Sequence, residues 1–149
     1  MAKSYIIDNR EINGETQIKK WVQTGIDKDA VEFAQCFGTD LAKMREALTT
    51  AQIRNVFGEV RRIQMLNKKA YKDKEQYNEA PILLLRPKLA YAAKRSNKRA
   101  VKELADVLSA GINAVVAEGD VVEKLDRFEK FADFFEAVLA YHKAAGGKE

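Results

Sequence analysis

The stretch "LTTAQIRNVFGEVRR", residues 48–62, decides how the rest of the chain is read. Thr49 and Gln52 have the spacing of a capping box, in which each side chain satisfies the other's free backbone N–H. Leu48 and Ile53 stand where a hydrophobic staple places its pair. A helix therefore starts at Thr49 or Thr50. The helical spacing of Ile53, Val56, Phe57, Val60, Ile63 and Ala70 carries it to about Tyr77. Gly58 in its interior costs up to ~1 kcal/mol relative to Ala, which points to the close approach of another helix or of a ligand backbone. Arg54, Arg61 and Arg62 then have two readings: the solvated face of an ordinary buried helix, or a surface that holds phosphates.

Upstream, Thr16 to Gln23 makes a short helix around Ile18, Trp21 and Val22, ended by Gly25. Asp27 or Asp29 caps the next, where Val31, Ala34 and Phe37 follow helical spacing. Gly38 interrupts it. Thr39 and Asp40 then restart a turn with Leu41, Met44 and Leu48, as a new piece or as the second half of one kinked helix. "SYIID" at 4–8 reads as a weak strand or as a tail that docks on something.

Downstream, Pro81 suits the first turn of a helix that kinks or restarts at Pro87. The unbroken run Ile82 to Leu85 predicts a turn surrounded on nearly all sides. Ser96 or Asn97 caps a helix with Val101, Leu104, Ala105, Leu108 and Ile112 inward. Asp120 and Glu123 open the last helix, where Val121, Leu125, Phe128, Ala132, Phe135, Leu139 and His142 repeat as a bundle seam. Phe131 and Phe134 project off that line, which predicts cover from another subunit. The sum is an all-α, single-domain bundle of five to six helices over 16–145. A tail over 1–15, whose order the sequence leaves open, precedes it, and a frayed C-terminus over 146–149 follows.

Length and composition agree with this class. A chain of 149 residues, 46% apolar and 32% charged, suits one globular domain with many exposed helical faces. No apolar run reaches the ~18 residues of a membrane span, and the N-terminus lacks a signal core, so the cytoplasm is the expected location. One cysteine and one histidine make a zinc site improbable. Cys36, beside Phe33 and Phe37, reads as a small buried hydrophobe. His142 reads as a core or interface residue, and the acids from Glu118 to Asp126 as caps. With no phosphate loop, nucleophile elbow or His–acid set, no catalytic residue, metal or cofactor is expected.

Charge is where the chain departs from the ordinary. Residues 54–102 hold fourteen Lys or Arg against Glu59, Asp73, Glu75 and Glu79, a net of +10 in a chain of net +4. On the helix from Thr49, Arg54, Arg61 and Lys68 fall with Lys72 within about 40° of one line that Gly58 and Met65 complete, roughly 27 Å long. Arg62 and Lys69 lie beside it. A second tract, Arg86, Lys88, Lys94, Arg95, Lys98, Arg99 and Lys102, contains no acid. Unrelieved like charge at this spacing destabilises a helix, so both tracts point to an anionic partner, nucleic acid first and an acidic protein second. Tyr91 nearby is either a stacking platform for a base or a buried aromatic.

Three blocks, "LTTAQIRNVFGEV" at 48–60, "LLLRPKLAYAAKR" at 83–95 and "FADFFEAVLAYHK" at 131–143, resemble the hallmarks of the small helical subunit of type III-A (Csm-type) CRISPR effector complexes. The resemblance spans about 25–143 and leaves the first 24 residues unmatched. It implies a non-catalytic role in antiviral defence. Copies would self-associate along an inner filament beside other effector-complex subunits and line the channel that holds guide RNA paired with target RNA. It also implies that Arg54, and basic residues around Lys88, Lys94 and Arg95, contact the nucleic-acid backbone. The candidate RNA-binding set is thus Arg54, Arg61, Arg62, Lys68, Lys69, Lys88, Lys94, Arg95, Lys98 and Arg99.

Overall fold

The computed structural model describes residues 4–7, 10–44, 49–96 and 98–146. Among these residues six helices make an all-α bundle, as the spacing predicts: α1 (Gly14–Thr24), α2 (Lys28–Lys43), α3 (Thr50–Lys72), α4 (Ala80–Ser96), α5 (Arg99–Val115) and α6 (Val121–Ala144). A short antiparallel hairpin, β1 (Ser4–Ile7) with β2 (Arg10–Asn13), precedes them, so the weak strand at 4–8 coincides with β1.

The helix ends are set locally. In α3 both halves of the capping box form. The Gln52 N–H donates to Thr49 Oγ1 at 3.1 Å, and the Thr49 N–H donates to Gln52 Oε1 at 2.8 Å. The staple residue Leu48 lies outside the described residues. α3 stops at Lys72, short of Tyr77, because Asp73 turns extended and its carboxylate accepts from the Glu75 N–H, opening a 3-10 turn over Lys74–Gln76. Asp27 caps α2 by accepting from the Ala30 N–H at 2.9 Å. Asp120 and Glu123 form the second capping box, at α6. The expected cap at Ser96 or Asn97 is not what opens α5. Ser96 ends α4, Asn97 lies outside the described residues, and Lys98 is the N-cap, without a side-chain bond.

α6 is the axis, packed against α1, α2, α3 and α5. Two glycines allow this. Gly38 does not interrupt α2, which runs through it. A Cβ at Gly38 would lie 2.6 Å from the Val138 carbonyl oxygen and 3.0 Å from the His142 backbone N, so glycine is what lets α2 and α6 cross. A Cβ at Gly111 of α5 would lie 2.6 Å from the Phe131 ring.

Four helices around α6 also correct the expectation for Phe131 and Phe134. Both are at most 2% exposed within one chain. Phe134 sits 5.9 Å from Trp21 and 5.8 Å from Phe33, and Phe131 sits 5.6 Å from Phe128. No second subunit is needed to cover them.

Other burial expectations fail for the same reason, that neighbours decide burial. Cys36 is exposed, because Phe33, Phe37 and Leu41 turn the opposite face of α2 inward. Val31 is exposed as well. α4 continues unbroken through Pro87 and packs mainly on α5, so only Ile82 and Leu85 of the apolar run are buried, while Leu83 and Leu84 face out. Among the described residues no helix is long and apolar enough to cross a membrane.

Candidate nucleic-acid interface

α3 buries Ile53, Val60, Ile63, Asn67 and Ala70 and so turns the opposite side outward. That outer side carries Arg54, Arg61, Arg62, Lys68 and Lys69, all exposed, as the helical geometry predicts. Gly58 and Met65 lie in the same row, Met65 at 68% exposure. Among the described residues no neighbouring element comes within 4 Å of a Cβ built at Gly58, so of its two sequence readings the intramolecular one falls. None of the described helices needs that glycine.

The cations differ in what already holds them. The Arg61 guanidinium lies 4.7 Å over the Phe57 ring, donates to Gln64 Oε1 at 3.0 Å and pairs with Glu136 of α6 at 3.5 Å. Glu59 takes two more, Arg62 at 3.0 Å and Lys88 of α4 at 3.4 Å, and so ties α3 to α4. Its carboxyl is held below the usual range by the Arg62 hydrogen bond, against partial desolvation, with Lys88 adding to the effect. Arg99 pairs with Glu103 one turn on, at 3.7 Å. Among the described residues no carboxylate pairs with Arg54, Lys68, Lys69, Lys94, Arg95 or Lys98. Six of the ten candidates are therefore available, and four are shared with acids of the chain itself.

Four of these residues line two hollows on either side of α4, while the α3 cations stay on the ridge. Lys94, Lys98, Arg99 and Lys102 line a groove of about 580 Å³ between α4 and α5, floored by alanines and containing one acid, Asp106. Arg95 faces the other way, into a cleft shared with Gln52 and Asn55 of α3. Lys88, paired with Glu59, lies at the far end of that cleft. Sequence reasoning missed Glu59 as the partner of a lysine twenty-nine positions away, and it missed Asn55. The exposed, unpaired Asn55 directly after Arg54 is the signal that could have found the cleft.

Arg61 also acts on the neighbouring acids of α6. Partial desolvation of this exposed side chain first, then the Glu136 charge, push the Asp133 carboxyl above the usual aspartate range, while Arg61 pulls it down. A carboxyl raised in the folded state contributes stability below its unfolded pKa and loses it as pH rises through the folded value. Asp133→Asn should therefore raise the melting temperature at neutral pH and leave it unchanged at about pH 3, where both states are protonated. Thermal melts at the two pH values check this, and an equal effect at both would contradict the assignment.

Among the described residues no group of three or more His, Cys, Asp or Glu could hold a metal ion. What the fold and surface define is a small helical-bundle protein with a cationic ridge, a cationic groove and a mixed cleft between them. A family model for Csm2, type III-A, matches residues 27–148, and the chain belongs to that family, the small subunits of type III-A CRISPR effector complexes. The match begins at the Asp27 cap of α2 and leaves the hairpin and α1 outside it. No curated protein and no solved structure matches the chain.

Proposed function

We propose that this small subunit is non-catalytic and that its α3 ridge and α4–α5 groove hold the backbone of guide and target RNA. Repeated copies stack along the inner filament beside the other effector-complex subunits, in cytoplasmic antiviral defence. The observation that supports this best is the set of exposed cations without a carboxylate partner among the described residues: Arg54, Lys68 and Lys69 on α3, then Lys94, Arg95 and Lys98. Like charges on one helical face repel, and a row of phosphates relieves them. Backbone contacts of this kind position a strand without reading it, which suits a complex where base pairing supplies the sequence. Each copy adds a few weak contacts, and copies in a row sum them.

The test is the affinity of the purified chain for a fluorescent single-stranded RNA as salt is raised. With ~3 phosphates neutralised, log affinity should fall against log salt with a slope of about −2. Affinity that ignores salt, or no RNA binding beside firm binding of an acidic protein, would favour the second reading, an adaptor between proteins. The apolar Leu83 and Leu84, exposed next to Arg86 and Lys88, are what favour that reading.

A further inference from the structure

We infer that the cleft between α3 and α4 takes one unpaired nucleobase of the RNA strand whose backbone lies along the α3 ridge. This rests on the RNA reading above and adds a ligand group to it. Beside the Glu59–Lys88 pair, α3 and α4 leave a cleft of about 430 Å³ that Val101, Leu104 and Ala105 of α5 floor, within the ~300–1,000 Å³ range of small-ligand sites. A further 150 Å³ continues the cleft past Leu89 to that pair.

The lining is what a base requires. Val56, Leu89 and Leu104 make apolar walls for a flat ring. Tyr91 stands at the lip, 67% exposed rather than buried, so its ring is open to stacking. Asn55 presents both a donor and an acceptor, the pair that a base edge needs, and none of its hydrogen bonds is used within the described residues. Gln52, the other amide, is committed to the capping box. The Ser96 hydroxyl in the wall is buried and has no hydrogen-bond partner among the described residues, a condition costing about 1–3 kcal/mol unless a partner arrives. Arg95 closes the rim with a guanidinium free of any carboxylate among the described residues.

Position completes the case. Asn55 follows Arg54, the first cation of the ridge, and sits about 100° around α3 from it. A strand held by Arg54 can therefore turn one base off the ridge into the cleft. An acidic protein helix would fill the apolar walls and leave the Asn55 amide and the Ser96 hydroxyl without matched partners.

The test uses a single-stranded RNA carrying one 2-aminopurine flanked by uridines, where its fluorescence is bright, and the wild-type chain beside Tyr91→Ala, Tyr91→Phe and Arg54→Glu. Tyr91 is exposed, so its replacement leaves the bundle folded. Binding of wild type and Tyr91→Phe should quench the probe. Tyr91→Ala should lose the quench and bind about 5- to 100-fold more weakly, the worth of one stacked base. Unchanged fluorescence on salt-sensitive RNA binding that Arg54→Glu weakens would overturn the base site and leave the ridge standing. No RNA binding by the wild type would overturn both. NMR shifts at the Val56, Leu89 and Leu104 methyls caused by an acidic helical peptide, and not by RNA, would overturn it in favour of a protein occupant.

Discussion

Gly38→Val should cost the bundle roughly 3 kcal/mol, at the upper end of overpacking, while Gly58→Ala should stabilise it by up to about 1 kcal/mol. Both glycines lie inside long helices, and helix propensity alone predicts a gain for replacing either by alanine. Space reverses the sign at one of them. A Cβ at Gly38 meets backbone, the Val138 carbonyl oxygen at 2.6 Å, and backbone cannot rotate away as a side-chain tip can. α2 and α6 would have to separate, loosening Phe33, which stacks on Phe37, from Phe134 of α6. At Gly58 the added methyl meets no neighbouring element within 4 Å among the described residues. For a domain of this size the first change should lower the melting temperature by about 6–12 °C. A Gly38→Val protein melting like the wild type would mean that α2 and α6 do not cross so closely.

The same two residues show which parts of the molecule a sequence displays. Capping boxes at Thr49–Gln52 and Asp120–Glu123 were legible because both partners lie three residues apart and need no third element. The ridge was legible because helix geometry alone places Arg54, Arg61 and Lys68 in one row once α3 exists. The family was legible too, since three blocks carried it and the family match spans them all. Burial on the other side of a helix was not, because it depends on which neighbour arrives. Gly38 reads as an interruption until α6 lies across it, and Phe131 and Phe134 read as surplus until α1, α2 and α5 surround them. Leu83 and Leu84 read as core until α4 settles on α5 by one face only. Pairing across distance was equally hidden: nothing near Lys88 in the chain announces Glu59. The cleft is lined by residues of α3, α4 and α5 together, so no one helix implies it. The candidate site was thus visible as residues and invisible as shape.

Reversing the ridge with Arg54→Glu and Lys68→Glu together should weaken RNA binding by about 100-fold. These two are chosen over Arg61 because of what each side chain already does. Arg61 faces Glu136 and lies over Phe57, so a carboxylate there would repel Glu136 and Asp133 and confound binding with stability. Arg54 and Lys68 have no carboxylate partner among the described residues and stand on the exposed face of α3. Folding should therefore be spared.

A hydrogen bond to a charged group contributes about 1.5–3 kcal/mol, so losing two costs at least ~3 kcal/mol, which is about 100-fold in affinity. The salt slope should become shallower by about 1.4, roughly 0.7 for each lost phosphate. Lys19→Glu with Lys28→Glu, on α1 and α2, changes the net charge by the same amount away from the ridge. It should leave most of the affinity in place, because exposed charges beyond about 10 Å are screened at ordinary salt. Equal losses in the two double variants would mean that RNA senses only the total charge of the chain. A loss confined to the α3 pair would mean that the row itself grips the strand, and the opening stretch would then be the start of a phosphate-holding helix.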